Sequence, residues 1–286
     1  MERCLSKQMY PVLNPRAAVT PPVMAPVLDR SRICALAVMA KAPRPGKVKT
    51  RLQPPLTAEE AAALNVCFLR DTTQNIAEVA AAGADLSAGA QGLICYTPVG
   101  DEAAFDGLLP EGFALIEQRG DGFGERLHLA ATDILACGFG AVCLIDSDSP
   151  TMPATALRAA VQALAAPGDR VVLGGSDDGG YYLIGLKQAH AAPFERITWS
   201  TGSVLAETRE RVREAGLELF ELPLWYDVDD AATLRVLEAE LLGARPPAFA
   251  ERAGYDASHT RKFLEERQMA AQAGSRSAAE TRSGTA

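Results

Sequence analysis

The sequence predicts an α/β protein with a largely parallel sheet that is covered by helices on both faces. Two patterns lead to this prediction. Between Ile33 and Leu242, short apolar runs alternate with segments of helical periodicity. The apolar runs are almost continuous, which is typical of strands buried on both faces of a parallel sheet. With 286 residues, the chain can form one large domain or two small ones around a buried core.

The first half of this region contains three predicted strands and two predicted helices. One helix follows the capping box Thr57-Ala-Glu-Glu60, and the other spans Glu125–Cys137. The predicted strands are Ile33–Met39, Gly92–Thr97 and Phe113–Glu117.

The second half contains three further strands and three helices. The helices start at Pro153, at Val204 and at Asp229 or Asp230, either of which can cap the last one. The predicted strands are Ala141–Asp146, Arg170–Gly174 and Tyr181–Leu186. In sheets of this kind the ligand crevice lies beyond the carboxyl ends of the strands, so the loops at those ends are the candidate site.

Composition and charge exclude several classes of protein. Hydrophobic residues make up 48% and charged residues 22%, which excludes collagen-like, disulfide-scaffold and fully disordered chains. The net charge of −8 makes nucleic acid an improbable partner. No apolar run is long enough for a signal peptide or a membrane span, so we expect no membrane association. The six cysteines form no C-x-x-C pair, and we expect reduced, buried thiols at Cys34, Cys95 and Cys143 and a cytoplasmic location.

The two ends of the chain differ in composition from its centre. Residues 1–32 contain five prolines and are predicted to be a flexible leader. Residues 33–242 form the predicted catalytic domain. Residues 243–286 are predicted to contain one helix, at Arg261–Gln272, and a disordered tail from residue 274 onwards.

A basic loop follows the first predicted strand, from Met39 to Arg51. Pro43, Pro45 and Gly46 stiffen this loop, and five basic residues within eleven positions suit a small phosphate ligand: Lys41, Arg44, Lys47, Lys49 and Arg51. The acidic net charge favours a diphosphate or triphosphate over DNA. Neither the Walker pattern nor the GxGxxG pattern is present, and a solvated basic loop is the alternative.

Acidic residues follow two other predicted strands. Asp146 and Asp148 lie where a buried strand leaves the sheet and can hold one hard cation together with a phosphate. Asp227 and Asp229 alternate with Val228, so both point to one side if this segment is extended, and they can bind the same cation. Helix capping is the alternative at both places.

Three further segments have the composition of loops that contact ligands. Gly174–Tyr182 places four glycines around two aspartates, which suits close approach to a ligand, although a plain hairpin turn explains it equally well. Gln118–Arg126 is a second glycine-rich turn. Trp199-Ser-Thr201 precedes a helix that Ser200 or Thr201 can cap. No G-x-S-x-G elbow occurs, which disfavours a serine hydrolase.

Four of these segments together resemble a bacterial family. The segments Met39–Leu52, Leu144–Met152, Asp177–Leu186 and Trp225–Asp230 are similar to the DUF2064 group, also called selenodomain-associated transferase 1. Its members are similar to GT-A-fold glycosyltransferases and to nucleotidyltransferases. The resemblance covers roughly residues 33–242 and implies a GT-A-like three-layer sandwich with a mostly parallel sheet.

The resemblance also implies roles for individual residues. Lys41, Lys49 and Arg51 match residues that contact nucleotide phosphates, and Asp148 matches an aspartate that binds Mg²⁺ or Mn²⁺. The later acidic pair of the metal site is matched by Asp227 and Asp229. One departure is Thr233, where relatives often have an acidic residue before a leucine.

These matches and the loop compositions give one set of expected site residues. The expected nucleotide-binding residues are Ala40, Lys41, Arg44, Lys49, Arg51 and Asp146. The expected metal ligands are Asp148, Asp227 and Asp229. The expected acceptor-binding residues are Gly179, Gly180, Tyr181 and Trp199, and the expected catalytic residues are Lys49, Asp148 and Asp178.

The expected function is a metal-dependent transferase that takes a nucleotide-sugar donor and a small-molecule acceptor, with Mg²⁺ or Mn²⁺ as cofactor. Two alternatives remain open at this stage. One is a nucleotidyltransferase that releases pyrophosphate from a nucleoside triphosphate. The other is a nucleotide-binding module without turnover.

Overall fold

In the computed structural model, the described residues are 10–16, 29–82, 89–243, 245–250 and 252–283. Across these ranges seven strands form one sheet: β1 (Ile33–Lys41), β2 (Gly89–Thr97), β3 (Ala114–Glu117), β4 (Ala141–Ile145), β5 (Arg170–Ser176), β6 (Tyr181–Leu186) and β7 (Glu218–Trp225). Six α-helices accompany it in the same ranges: α1 (Ala58–Ala81), α2 (Phe123–Ala136), α3 (Ala154–Ala165), α4 (Val204–Glu214), α5 (Ala231–Gly243) and α6 (Ser258–Ser283).

The sheet has the strand order β3-β2-β1-β4-β6-β5-β7. Only β6 runs antiparallel to its neighbours, β4 and β5, while the other paired strands are parallel. The predicted α/β class with a mostly parallel sheet is therefore confirmed. Because β6 is reversed, its first residue, Tyr181, lies at the same edge of the sheet as the last residues of β1 and β4.

Two hydrophobic cores lie on the two faces of the sheet. Along β1, Leu36 and Val38 belong to the core that includes residues of α1, α3, α5 and α6. Ala35 and Ala37 alternate with them and belong to the core that includes residues of α2 and α4. A strand buried on both faces needs a continuous apolar sequence, which is why β1 was visible as an unbroken run.

The six predicted strands and five predicted central helices are all present, with shifted ends, but β7 was not predicted. Only Leu222 and Trp225 of its eight residues are buried, and the strand contains Pro223. Its strand geometry depends on parallel pairing with β5 at the edge of the sheet. This pairing brings the segment after Trp225 to the end of the sheet where the other candidate loops lie.

Part of the expected leader is packed against the domain, which corrects the prediction for residues 10–16. Tyr10 is buried, and its hydroxyl donates a hydrogen bond of 2.7 Å to the carbonyl of Leu109. The Leu13 amide donates to the Leu115 carbonyl, and the Leu115 amide donates to the carbonyl of Pro11. The segment thus pairs backbone groups of the edge strand β3. Residues 29–32 of the expected leader are also ordered and form a short 3-10 helix at Arg30–Arg32. Residues 1–9 and 17–28 lie outside the described residues.

The predicted C-terminal helix is present as α6, and it is longer than expected. It continues to Ser283, so the disorder predicted from residue 274 is not found up to that point. The prediction of disorder was based on the Gly, Ser and Thr content of this stretch. Its alanine, glutamate and arginine residues have high helix propensity, which favours continuation of the helix. Residues 284–286 lie outside the described residues. Among the described helices, none combines the length and apolarity needed to span a membrane.

Candidate functional site

A cleft of about 440 Å³ lies at the carboxyl ends of β1, β4 and β7, where the sequence predicted a ligand crevice. Five carboxylates and one guanidinium line it: Asp146, Asp148, Asp178, Asp227, Asp229 and Arg51. Its other lining side chains are apolar, aromatic or hydroxyl-bearing and include Met39, Phe123, Tyr181, Trp199 and Thr201. The loops that follow three different strands therefore contribute to one site.

Lys49 connects the basic loop to the acidic residues. Its ammonium Nζ lies 2.8 Å from Asp148 Oδ1 and 3.8 Å from Asp229 Oδ1, and it donates a hydrogen bond of 2.6 Å to the Val228 carbonyl. The side chain is only 4% exposed and is not among the residues that line the cleft. The predicted proximity of Lys49 and Asp148 is confirmed, but the ammonium faces protein oxygens instead of the open cleft.

The other expected nucleotide-binding residues fall into two groups. Arg51 and Asp146 line the cleft, and Arg51 is 73% exposed with its Nη1 3.2 Å from Asp229 Oδ2. The other group is outside the lining: Ala40 is buried in the core, Lys41 is exposed at the end of β1, and Arg44 pairs with Asp101. The alternation of β1 turns Ala40 into the core.

Hydrogen bonds order the acidic turn after β4. Ser149 Oγ donates to Asp146 Oδ2 at 2.9 Å, and Ser147 Oγ donates to Asp148 Oδ1 at 2.9 Å. Burial raises the pKa of Asp146 well above its usual range, and the charges of Asp148 and Asp227 raise it further. The turn therefore concentrates negative charge in a poorly solvated place.

The acidic pair after β7 lies in the same electrostatic environment. Burial raises the pKa of Asp227 to about 7, with further contributions from the charges of Asp178, Asp229 and Asp148. Burial and Asp148 also raise the pKa of Asp229, whereas Lys49 and Arg51 oppose that shift. Since the charge of Asp148 raises the pKa of both Asp227 and Asp229, the two acidic segments lie close together, as predicted.

The first turn of α5 shows which aspartate caps that helix. Asp230 Oδ1 accepts hydrogen bonds from the amides of Ala232 and Thr233 at 2.8 and 2.9 Å. The hydroxyl of Thr233, the residue that departs from the family pattern, accepts a hydrogen bond of 3.0 Å from the Asp229 amide. Asp230 therefore caps α5, which leaves the Asp229 carboxylate directed to Lys49 and Arg51.

The expected metal ligands suit a hard cation in their chemistry. All are carboxylates, and Mg²⁺ needs only one or two of these when phosphate oxygens and waters complete its shell. Over the described ranges, however, no three Asp, Glu, His or Cys side chains converge into a ready-made metal site. Burial, and after it the charges of Asp178, Asp229 and Asp148, raise the pKa of Asp227, and a divalent cation bound beside these carboxylates would favour their charged forms.

Three rings form what we call the aromatic wall of the cleft: Phe123, Tyr181 and Trp199. The centroids of Phe123 and Trp199 lie 5.1 Å apart and those of Tyr181 and Trp199 lie 6.4 Å apart, both edge-to-face. Tyr181 and Trp199 were expected site residues. Phe123 was not, although its glycine-rich turn was singled out, because only the folded chain shows that the first residue of α2 reaches the cleft.

The expected acceptor loop is held in place by its glycines. Gly179 has a φ of +91°, and a Cβ at this position would lie 2.1 Å from the Gly202 carbonyl oxygen. The Gly180 amide donates a hydrogen bond of 2.7 Å to Asp178 Oδ1. Gly180, Tyr181 and Trp199 line the cleft, whereas Gly179 packs behind it.

Comparison with known proteins relates the chain to a family and to solved structures. The model of the family described as "Uncharacterized protein conserved in bacteria (DUF2064)" matches residues 69–201. A solved candidate nucleotide-diphospho-sugar transferase from Desulfovibrio desulfuricans G20 is 31% identical with a TM-score of 0.66, and the match covers 83% of this chain and 96% of that one. Among curated proteins, no match was found.

Two more distant structures align with the chain at lower similarity. A 4-diphosphocytidyl-2C-methyl-D-erythritol synthase from Anaerococcus prevotii DSM 20548 is 8% identical with a TM-score of 0.46, over 76% of this chain and 100% of that one. A CMP-2-keto-3-deoxy-manno-octonic acid synthetase in complex with CTP is 12% identical with a TM-score of 0.45, over 74% and 99%.

Proposed function

The chain belongs to the DUF2064 family and has its GT-A-like α/β fold, and from this premise we propose that it is a metal-dependent transferase. It takes a nucleotide-sugar donor and transfers the sugar to a small acceptor. The description of the Desulfovibrio relative as a candidate nucleotide-diphospho-sugar transferase supports this choice of donor.

The observation that carries the proposal is the charge arrangement in the cleft. Asp148, Asp227 and Asp229 bring negative charge to the end of the sheet, and the guanidinium of Arg51 lies at the same place, largely exposed. A divalent cation held by carboxylates, next to a largely exposed guanidinium, suits a diphosphate. The position beyond the strand ends is where open α/β sheets bind their ligands.

The residues that line or support the cleft have different roles in the proposed reaction. When bound by Asp148 and by Asp227 or Asp229, Mg²⁺ or Mn²⁺ supplies charge neutralisation for the departing diphosphate. Arg51 binds the same diphosphate from the solvent side. Lys49 acts on the carboxylates, because its contacts to Asp148 and Asp229 fix their positions.

Asp178 is the proposed general base. It lines the cleft, it is close enough to raise the pKa of Asp227, and only two residues separate it from the aromatic wall. In the reaction its carboxylate accepts the proton of the acceptor hydroxyl, the acceptor oxygen bonds to the sugar carbon, and the bond from that carbon to the diphosphate breaks. The Gly180 amide orients the carboxylate.

Nucleotidyl transfer uses the same cation and guanidinium and is the second candidate. The released product separates the two reactions. A nucleoside diphosphate from a sugar donor supports glycosyl transfer, and pyrophosphate from a nucleoside triphosphate supports nucleotidyl transfer. Binding without any product supports a module that has lost turnover.

A thermal-shift screen of nucleotides and nucleotide-sugars, with and without Mg²⁺ or Mn²⁺, tests the proposal. A ligand present at 100 times its Kd should stabilise the folded protein by about 2.7 kcal/mol. Asp148→Ala should abolish the part of the shift that depends on the cation. Glu111→Ala is the matched control, because this exposed acid precedes β3 and lies at the opposite end of the sheet. An undiminished, cation-dependent shift in Asp148→Ala would contradict the role of Asp148.

A further inference from the structure

The aromatic wall presents apolar surface to the cleft. Phe123 lines the cleft and is 49% exposed, although its ring packs edge-to-face against Trp199, which in turn contacts Tyr181. Exposed apolar surface costs about 25 cal/mol per Å² relative to buried surface. A ligand that covers Phe123 recovers this free energy, and an aromatic side chain at the mouth of a polar cleft is a common anchor for one.

Three chain segments hold the wall rigidly. Gly124 packs against Trp199 so closely that a Cβ there would lie 2.5 Å from the indole Nε1. Gly179 packs on Gly202 in the same way, and the Leu205 amide donates a hydrogen bond of 2.8 Å to the Gly179 carbonyl. The rings are therefore ordered before a ligand arrives, which lowers the entropic cost of binding.

The wall carries no charge, in contrast to the rest of the lining. The same cleft is also lined by apolar Met39, Leu127, Leu144 and Val204 and by hydroxyl-bearing Ser200 and Thr201. The Tyr181 hydroxyl is buried and has no hydrogen-bond partner within the described protein. An anionic group here would lose its hydration and would face the carboxylates of Asp178 and Asp227 in the same cleft, whereas hydroxyl groups of a neutral ligand can form hydrogen bonds without that repulsion.

We propose that the aromatic wall of Phe123, Tyr181 and Trp199 is the acceptor subsite, and that it selects a neutral, hydroxyl-bearing acceptor with an apolar ring face. The inference rests on the proposed function, because only that function makes the ligand an acceptor. The ligand class follows from the wall together with the carboxylates that line the same cleft. Phe123 is the residue that determines specificity, since it is the most exposed large apolar side chain of the cleft. Asp178, between the wall and the acidic residues, receives the acceptor proton.

Tryptophan fluorescence reports directly on this subsite. The chain has two tryptophans, and Trp225 is only 2% exposed, so Trp199 provides the ligand-dependent signal. Phenyl β-D-glucopyranoside is the neutral probe, and phenyl β-D-glucuronide is its matched anionic probe. Both are titrated into the full chain and into Trp225→Phe; if that variant misfolds, the wild-type titration suffices because buried Trp225 adds a constant background.

The expected result is a saturable fluorescence change with the glucoside and at least tenfold weaker binding of the glucuronide. Phe123→Ala should weaken glucoside binding at least fivefold. Phe220→Ala, which removes an exposed phenylalanine of β7, should leave binding unchanged. Mg²⁺ with the nucleotide that stabilises the protein most should leave glucoside affinity unchanged or increase it.

Three results would overturn the inference. Equal binding of the two probes removes the selection for neutral ligands. An absent signal, or one that Phe123→Ala does not affect, removes the subsite. Competition between nucleotide and glucoside assigns the wall to the nucleobase instead. If no nucleotide binds but glucoside binding still depends on Phe123, the subsite stands and the proposed transferase function fails.

Discussion

Lys49 shows how a residue expected to bind phosphate can serve the protein itself. Its ammonium has the Val228 carbonyl, Asp148 and Asp229 as partners, and its side chain is almost fully buried. Burying a lone ammonium is costly, so the position is stable only because these oxygens surround it. Lys49 therefore joins the loop after β1 to the segment after β7.

Replacement of Lys49 by methionine should destabilise the protein. The change removes hydrogen bonds to charged and carbonyl partners and leaves Asp148 and Asp229 without their buried counterion, so we expect a loss of about 1–3 kcal/mol in the free energy of unfolding. Urea denaturation measures this loss. Adding Asp148→Asn to Lys49→Met should cost less than the two single changes together. Lys47→Met, at an exposed position of the same loop, is the control. Equal stability of Lys49→Met and Lys47→Met would refute the role.

The raised pKa of Asp227 makes the folded protein less stable at higher pH. A carboxylate in an ordinary ion pair has a lowered pKa and has the opposite effect. The pKa of Asp227 is about 7 in the folded protein and near 3.8 in the unfolded chain, so the folded state holds the proton more tightly. Stability should therefore decrease as the pH rises from about 4 to about 7. Asp227→Asn removes this penalty and should stabilise the metal-free protein by about 1–3 kcal/mol above pH 7, with no gain near pH 4. Denaturation in EDTA across this range measures the difference, and a gain that is the same at all pH values would contradict the assignment.

Residue types were easier to predict than residue partners. Asp146 and Asp148 were recognisable because they follow a buried run, and the capping box at Thr57 and Glu60 is present as predicted. The contact of Lys49 with the Val228 carbonyl joins positions 179 residues apart and leaves no local signal. Likewise, nothing in the sequence near Asp101 shows that it holds Arg44 away from the cleft.

Among the elements, α2 shows how a short sequence positions a site. Its first residue is Phe123 of the aromatic wall, and Gly124 follows it at the surface that meets Trp199. Helix propensity alone would favour alanine at this position by about 1 kcal/mol. Glycine is required here because there is no room for a side chain. A Cβ would lie 2.5 Å from Trp199 Nε1 and 2.8 Å from the Phe194 carbonyl oxygen.

Gly124→Ala should therefore destabilise the protein in spite of the better helix propensity. The overlap involves a backbone oxygen as well as the indole, and relief of such overpacking costs about 1–3 kcal/mol. We expect a lower Tm and a shift of the Trp199 emission as the ring moves. Gly122→Ala is the control for the emission, because nothing lies within 4 Å of a Cβ there. An unchanged emission in Gly124→Ala would show that the indole does not depend on this contact.

Elements that depend on distant partners were the hardest to predict. Strand β7 has little apolar pattern of its own and obtains its strand geometry from β5. Residues 10–16 pair with β3, although their two prolines were among the five that predicted a flexible leader. In both cases the backbone hydrogen bonds of a neighbouring strand decide the conformation, and these are not encoded within the segment.

At the scale of the whole molecule, α6 closes one face of the domain. The Asp71 carboxylate on α1 accepts hydrogen bonds from the amides of His259 and Thr260 at 3.0 and 2.8 Å and from the Thr260 hydroxyl. Leu264 is buried in the same core as residues of α1 and α5. Arg267 lies 3.6 Å from Glu60 on α1 and 3.7 Å from Glu238 on α5. These contacts all lie in the first ten residues of a helix of 26.

Two truncations should therefore differ sharply in their effect. Ending the chain after Gln272 keeps each of these contacts, so the free energy of unfolding should stay within about 0.5 kcal/mol of the wild-type value. Ending it after Ala257 exposes the surface that Leu264 covers and leaves the buried Asp71 carboxylate without its partners, which should cost several kcal/mol. Urea denaturation of both proteins measures the difference.

If the shorter chain does not fold, Asp71→Ala in the full chain tests the same contact and should cost about 1–3 kcal/mol. Equal stability of the two truncated chains, or of Asp71→Ala and the wild type, would show that the first turns of α6 contribute nothing to the fold.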